Sequence, residues 1–241
     1  MITVASYNIR KSVGTDWRRQ PDRILQILNE IDADVVALQE VDRRFGQRTS
    51  SLSIENVASV SPYAAVRFGR RPDSLGWHGN AILVRKGSEV LRQRRIVLPA
   101  LEPRGAVLVD VAVAGVAIRV IGLHLGLVGL WRTRQAARVL NYLKRLESVL
   151  PTVIMGDLNQ WTTEGGSLAH FAADHNVIAP GPSFHSSRPL LALDRIITSH
   201  DFRVQEAGVH LSPLSRRGSD HLPVWARLDL EPAAAATDAS P

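Results

Sequence analysis

The sequence predicts an α/β protein: a four-layered α/β sandwich, with two mixed β-sheets packed face to face and helices outside. Three observations carry this. Short apolar or alternating runs of strand length recur along the 241 residues, while amphipathic helical stretches are few. Several of the runs follow one another as hairpin-like neighbours. A hydrophobic content of 45% is enough for a sizeable core.

The elements follow in chain order. Residues 2–8, ITVASYN, read as a short strand. Pro21 opens a helix, because its fixed φ suits the first helical position. The apolar residues Ile24, Ile27, Leu28 and Ile31 recur there at the spacing of one buried face. DVVALQ, residues 34–39, is a strand apolar on both sides. Strands follow around 80–84, 88–98, 107–113 and 117–123. A helix is expected over 132–150, with Val139, Leu140, Leu143, Leu146 and Leu150 on one side. TVIM, 152–155, is a strand, and a short helix is expected over 166–175. Strands near 196–198, 204–209 and 224–230 close the chain. There is no internal repeat and no long linker, so residues 1–230 read as one domain. The tail 231–241, EPAAAATDASP, is small and polar and is expected to be disordered.

Composition removes several chemistries. There are no cysteines, which excludes disulfides, thiolate metal sites and a cysteine nucleophile. MITVASYNIRK lacks a basic segment followed by an apolar one, so no signal peptide is expected. The most apolar stretch, 105–122, contains Asp110 and Arg119 and is not a membrane span. A cytoplasmic protein, peripheral to the membrane at most, is the expectation. The net charge is +6, with basic clusters at 17–19, 69–71, 92–95 and 215–217. Such a surface suits nucleic acid or anionic lipid, or is a solvated arginine-rich face. Aromatics make up 5% and do not interleave with basic residues, so no stacking platform for single strands is indicated.

Polar residues recur at strand ends. Asn8 ends the first strand and Glu40 follows the second. Asn80 precedes a strand, His124 ends one, and Asp157 and Asn159 follow TVIMG. Asp194 precedes RIIT, and Asp220 and His221 precede the last strand. Singly, each reads as a turn, a cap or a satisfied core residue. Together they mark the place where layered α/β proteins gather their sites. Oxygen-rich ligands without thiols favour Mg2+, Mn2+ or Ca2+. A histidine beside an aspartate can take a proton from water. No G-x-S-x-G elbow and no P-loop is present. Metal-assisted attack of water on phosphate is the reaction class that fits.

At these residues the chain resembles the endonuclease/exonuclease/phosphatase family. The resemblance rests on SYNIR (6–10), LQE (38–40), HGNAIL (78–83), RGAV (104–107), GLHLGL (122–127), GDLN (156–159), LDRI (193–196) and SDHLP (219–223), in that order. HLGL followed by Arg132-x-x-Gln135 is most similar to a small bacterial subgroup, some of whose members are associated with phospholipid metabolism. The resemblance implies Glu40 as the main metal ligand, with Asn8 beside it orienting metal or phosphate. It implies that Asp220 completes the metal side. His221 is the implied general base, or a phosphate holder, with Asp194 bonded to its imidazole. Asp157 and Asn159 are implied to position nucleophile and phosphate, and Asp157 to bind a second metal or assist the leaving group. His124 is implied to donate to a phosphate oxygen, Arg104 to neutralise the phosphate, and Asn80 to shape the site from behind.

Departures from the family bear on substrate. The tyrosine of the Y-x-P-N block of the repair nucleases is replaced by His124, and the inositol phosphatase blocks are absent. LGLVGLW, 125–131, follows His124 directly; it either touches lipid or folds onto the core. Trp77 poses the same choice. The expectation is a Mg2+-dependent phosphodiesterase acting on a phospholipid or other small phosphodiester, with a DNA/RNA nuclease and then a phosphomonoesterase as alternatives. No obligate protein partner is evident. A silent scaffold protein is the third class, and the complete acid/amide/histidine set argues against it.

Overall fold

Strands buried on both faces form the centre of each sheet, as continuous apolar runs such as VVALQ require. The computed structural model describes residues 1–42, 49–69, 74–99 and 104–231. Arg70 and Arg71, and the expected tail from residue 232 onward, lie outside the described residues. In chain order the elements are β1 (Ile2–Asn8), α1 (Pro21–Ile31), β2 (Val35–Gln39), α2 (Ile54–Val60), β3 (Tyr63–Ala65), β4 (Ala81–Arg85), β5 (Glu89–Val97) and β6 (Gly105–Val113). Then come β7 (Val116–His124), α3 (Gly129–Leu143), β8 (Thr152–Asp157), α4 (Gly166–Ala172), β9 (Asn176–Ile178), β10 (Asp194–Thr198), β11 (Phe202–Val209), α5 (Ser215–Gly218) and β12 (Val224–Leu230).

The sheets have six strands each, in the orders β11-β12-β1-β2-β4-β3 and β5-β6-β7-β8-β10-β9. One parallel pair lies at the heart of each sheet, β1 with β2 and β7 with β8. The remaining pairings are antiparallel. A parallel pair needs a crossover, which α1 supplies in the first sheet and α3 in the second. Alternation then sorts the side chains. Val4, Val35, Val109, Val153 and Ile196 meet between the sheets. Ala5, Tyr7, Val36 and Leu38 face α1. Ile121, Ile154 and Ile197 face α3 and α4. The result is four layers, helix, sheet, sheet and helix, as expected. Gly122 lies at the seam: a side chain there would begin 3.2 Å from the Cβ of Ala37.

Three differences from the sequence reading have physical causes. The helix expected over 132–150 runs over Gly129–Leu143 instead. It stops early because buried Arg119 donates to the backbone oxygen and hydroxyl of Ser148, at 3.0 Å each, and holds that segment out of the helix. Pro151 also disfavours helix in the residue before it. Leu146 still packs on the outer core. The second expected helix, 166–175, ends at Ala172. The elements α2, β3, β9 and α5, of seven, three, three and four residues, are too short to show a period. Trp77 resolves as a structural residue. Its ring packs against the inter-sheet core, with the Arg95 guanidinium 5.1 Å from the ring centroid. Among the described residues, no helix is long and apolar enough to cross a membrane.

The two charges inside the apolar stretch 105–122 form one buried pair, with Arg119 donating to Asp110 at 2.7 Å and 3.0 Å. Asp110→Ala leaves a buried guanidinium uncompensated and is expected to cost about 3–5 kcal/mol in urea unfolding. Asp110→Leu combined with Arg119→Met is expected to cost clearly less, because neither charge is then stranded. Equal losses in the two proteins would contradict this account.

Candidate active site

One end of the sandwich collects the polar strand-end residues. Asn8 and Glu40 lie at the C-terminal ends of β1 and β2, and His124 and Asp157 at those of β7 and β8. Asp194 begins the antiparallel strand β10, in register with Asp157, so it reaches the same end. Asp220 and His221 precede β12, which is antiparallel to β1. The first sheet therefore brings Asn8, Glu40, Asp220 and His221, and the second brings His124, Asp157, Asn159 and Asp194.

Two side-chain hydrogen bonds between the strand-end residues join the halves. Asn8 Nδ2 donates to Asp157 Oδ2 at 3.1 Å. His221 Nδ1 bonds Asp194 Oδ2 at 2.9 Å, and Nε2 points the other way, 3.6 Å from Asp157. Ser183 Oγ donates to the same oxygen of Asp194 at 2.6 Å, and Phe184 lays its ring 4.9 Å from that of His221. His124 Nε2 is 3.3 Å from Asp157 Oδ2. The Asn159 backbone donates to Asp157 Oδ1 at 2.9 Å, and its side chain to the Leu125 carbonyl at 3.0 Å.

The opposite side is carboxylate-rich. Lys11 Nζ contacts Glu40 Oε2, and Arg10 Nε lies 3.5 Å from Asp220. Ser219 Oγ ties Asp220 to the backbone oxygen of Asn8 through bonds of 3.1 and 2.7 Å. Several of these loops use left-handed backbone at non-glycine residues: Arg10, Lys11, Ser12, Glu40, His78 and Asn159, with φ between 45° and 60°. Such conformations cost of order 1–3 kcal/mol each and persist where surrounding structure enforces them, commonly at sites. Here the enforcement is visible: Lys11 N donates to Glu40 O at 2.9 Å, and Ile9 N to Gln39 O at 3.1 Å.

Asn80 and Arg104 stand behind this centre. Asn80 Nδ2 donates to Gly105 O at 2.9 Å, next to buried Arg104, and Gly79 O accepts from Val41 N at 3.0 Å, beside Glu40. Asn80 thus braces the turn that carries Arg104.

The profile of the endonuclease/exonuclease/phosphatase family matches residues 5–221. The chain belongs to the endonuclease/exonuclease/phosphatase family. Members of this family are in general divalent-metal-dependent hydrolases of phosphoric esters. The uncharacterized protein YbhP of Escherichia coli (strain K12) is 29% identical over 248 residues, which cover 94% of this chain and 96% of YbhP. A functionally unknown conserved protein from Enterococcus faecalis V583 has a similar structure, with TM-score 0.75 and 20% identity, covering 95% of this chain and all of that one. The mannosyl-6-phosphatase Bt3783 of Bacteroides thetaiotaomicron matches with TM-score 0.74 and 21% identity over 95% of this chain and 100% of its own.

In family terms, Glu40 and Asp220 offer oxygen ligands at the place where Lys11 and Arg10 already bring positive charge. The donor set fits a hard divalent ion. Asp157, Asp194 and His221 also place one ligand atom each within 4.8 Å of one another. There, however, Asp194 is taken up by His221 and Ser183, and both oxygens of Asp157 face nitrogen atoms. The groups of that cluster are engaged with one another and their neighbours, as Glu40 and Asp220 are with Lys11 and Arg10.

Sequence reasoning missed Arg10, Lys11, Ser183, Phe184 and Ser219. Ser183 and Ser219 look like turn residues, and only tertiary structure shows their bonds to Asp194 and Asn8.

Burial disfavours a charged His221, but Asp194, Asp157 and Asp220 outweigh it and push its pKa up to about 10. Burial also raises the Asp157 carboxyl, to about 6, against the pull of His221. A raised histidine pKa adds stability that is complete below the unfolded value of 6.5 and is lost as pH rises through about 10. In metal-free buffer, the thermal-stability advantage of the protein over His221→Asn should therefore shrink across that window. A constant difference in melting temperature from neutral to alkaline pH would contradict the ion pairing.

Proposed function

We propose that the chain hydrolyses a phosphodiester by metal-assisted in-line attack of water, and that the diester belongs to a phospholipid. The observation that supports this best is the two-sided centre: carboxylates Glu40 and Asp220 on one side, imidazoles His124 and His221 around Asp157 on the other.

The two sides divide the work. His221 Nε2 and Asp157 are neighbours, so they act on the same face of phosphorus, and in-line geometry makes that the water side. Asp157 and Asn159 hold the water, and His221 takes its proton while Asp194 keeps Nδ1 protonated. Asp157 is then too close to His221 to serve the leaving oxygen, which departs on the far side. A Mg2+, Mn2+ or Ca2+ ion held by Glu40 and Asp220 would supply positive charge to that oxygen and lower the pKa of His221. Asn8 links the two sides through Asp157, His124 donates to a phosphate oxygen and Arg104 supplies positive charge to the phosphate. The bond from phosphorus to the leaving oxygen breaks as the bond to the water oxygen forms; the water proton goes to His221, and the departing alkoxide takes a proton from solvent.

Lipid comes first because the loop following His124 exposes Leu127, Val128 and Leu130 beside the centre. The basic residues Arg216 and Arg217, just before Ser219, favour nucleic acid as the second reading. The named phosphatase among the similar structures keeps a phosphomonoester in the comparison.

A screen of phospholipid vesicles, plasmid DNA and phosphomonoesters with each divalent ion separates these. Lipid headgroup release that stops with chelator is the expected result, and faster turnover of plasmid or monoester would replace it. His221→Ala and Asp194→Asn are each expected to lower kcat by about 10²–10⁴-fold with the fold intact by circular dichroism. Glu40→Gln is expected to weaken Mg2+ binding by about tenfold or more in calorimetry. Unchanged affinity would move the ion elsewhere.

A further inference from the structure

The loops after β7 and β8 do something that the reaction does not require. Leu127, Val128, Leu130 and Trp161 are 64%, 56%, 60% and 68% exposed, and all belong to these two loops or the helical turn that follows. Single exposed apolar residues need no explanation, but four large ones together at the edge of a site form the kind of patch that marks a contact surface. Leu125, two residues before Leu127, is fully buried, so the segment had a core to fold into and turned away from it.

The exposure is enforced. Gly126 N donates to Gln135 Oε1 at 2.8 Å, and Gln135 Nε2 donates to Pro99 O at 3.0 Å. Arg132 donates through Nε to Gln160 Oε1 at 3.2 Å and through Nη1 to the carbonyls of Gly126 and Leu127. One arginine thus joins the loop that carries Leu127 to the residue that precedes Trp161, and the two loops form one rigid lip. Asn159, between Asp157 and Gln160, fastens the lip to the centre through Leu125.

The charge around the lip selects its partner. The first turn of α3 contains no acid but contains Arg132, and Arg134 stacks 5.2 Å over Trp131, whereas Arg10 and Lys11 are paired with Asp220 and Glu40. Glu164 is the acid of the β8–α4 loop, and Asp16 on the facing rim is paired with Arg23. Apolar side chains flanked by Arg132 and Arg134 match an interface of acyl chains beneath anionic headgroups. A protein partner would need acidic pockets shaped to the lip, whereas a bilayer meets both demands at once.

We propose that this lip seats on an anionic lipid bilayer, with Leu127, Val128, Leu130 and Trp161 entering the boundary between headgroups and acyl chains. Seating there holds the mouth of the site against the phosphate layer. The inference rests on the lipid reading for its purpose, but docking needs no catalysis and is tested without it.

The experiment is sedimentation of the full chain with vesicles of phosphatidylglycerol and phosphatidylcholine in equal parts, and with phosphatidylcholine alone. The protein and His221→Ala should both bind the anionic vesicles and bind the neutral ones poorly. Leu127→Ser combined with Leu130→Ser should bind at least about tenfold more weakly, since two buried apolar side chains are lost. That variant should keep its turnover of a soluble phosphodiester. Tryptophan emission should shift to the blue on binding, and the shift should diminish in Trp161→Phe. Absence of binding by the unaltered protein, or full binding by the double variant, overturns the proposal. So does a dimer in solution that the double variant converts to monomer, which would make the lip a self-contact. Vesicle binding without lipid hydrolysis upholds the docking and removes the lipid-substrate reading alone.

Discussion

The hydrogen bonds from Asn8 to Asp157 and between His221 and Asp194 are the links on which the site depends. Each crosses from one sheet to the other. They form only where the two sheets bring their polar strand ends to the same depth, and that depth is set by apolar packing between the layers. Gly122 facing Ala37 lets the layers approach closely. The geometry of the reaction is therefore a consequence of how two faces of valine, isoleucine and alanine interlock. Rigidity of this kind is what positions catalytic groups within the fraction of an ångström that proton transfer demands.

The centre concentrates opposing charges in a small buried volume. Asp157 and Asp194 are 1% and 0% exposed, and their repulsion is relieved by one protonated imidazole. On the more open side, Glu40 and Asp220 meet Lys11 and Arg10. Left-handed backbone at Arg10, Lys11, Glu40 and Asn159 turns these groups inward. None of these choices favours folding by itself. The paired helices and sheets around them make them tolerable, and natural proteins break local rules in this way chiefly at functional sites.

Much of this was legible in the sequence. The period of Ile24, Ile27, Leu28 and Ile31 revealed α1, and the apolar run 34–39 revealed a strand with two covered faces. Polar residues at the ends of such runs marked the site, because a strand end is a place where only position makes a carboxylate unusual. Sheet order was not legible, since β12 pairs with β1 across nearly the whole chain. The supports Ser183, Phe184 and Ser219 were hidden for the same reason: their chemistry is ordinary and their partners are distant in sequence. The end of α3 was misjudged because a buried arginine on another strand decides it. The apolar loop 125–131 was left with two readings, and the structure divides it between them, Leu125 buried and Leu127 exposed.

The pairing of the last strand with the first sets an order of events during synthesis. The second sheet, from β5 to β10, is continuous in sequence and is complete once Thr198 has emerged. At that moment β1 has no partner on one side, because β12 is still to come. His221 is also missing, so Asp194 lacks the imidazole it bonds, while His124 already stands beside Asp157. The chain on the ribosome is thus a scaffold carrying half a reaction centre, and long-range pairing of this kind is slow. The site is completed only when β12 pairs with β1 and brings His221 to Asp194.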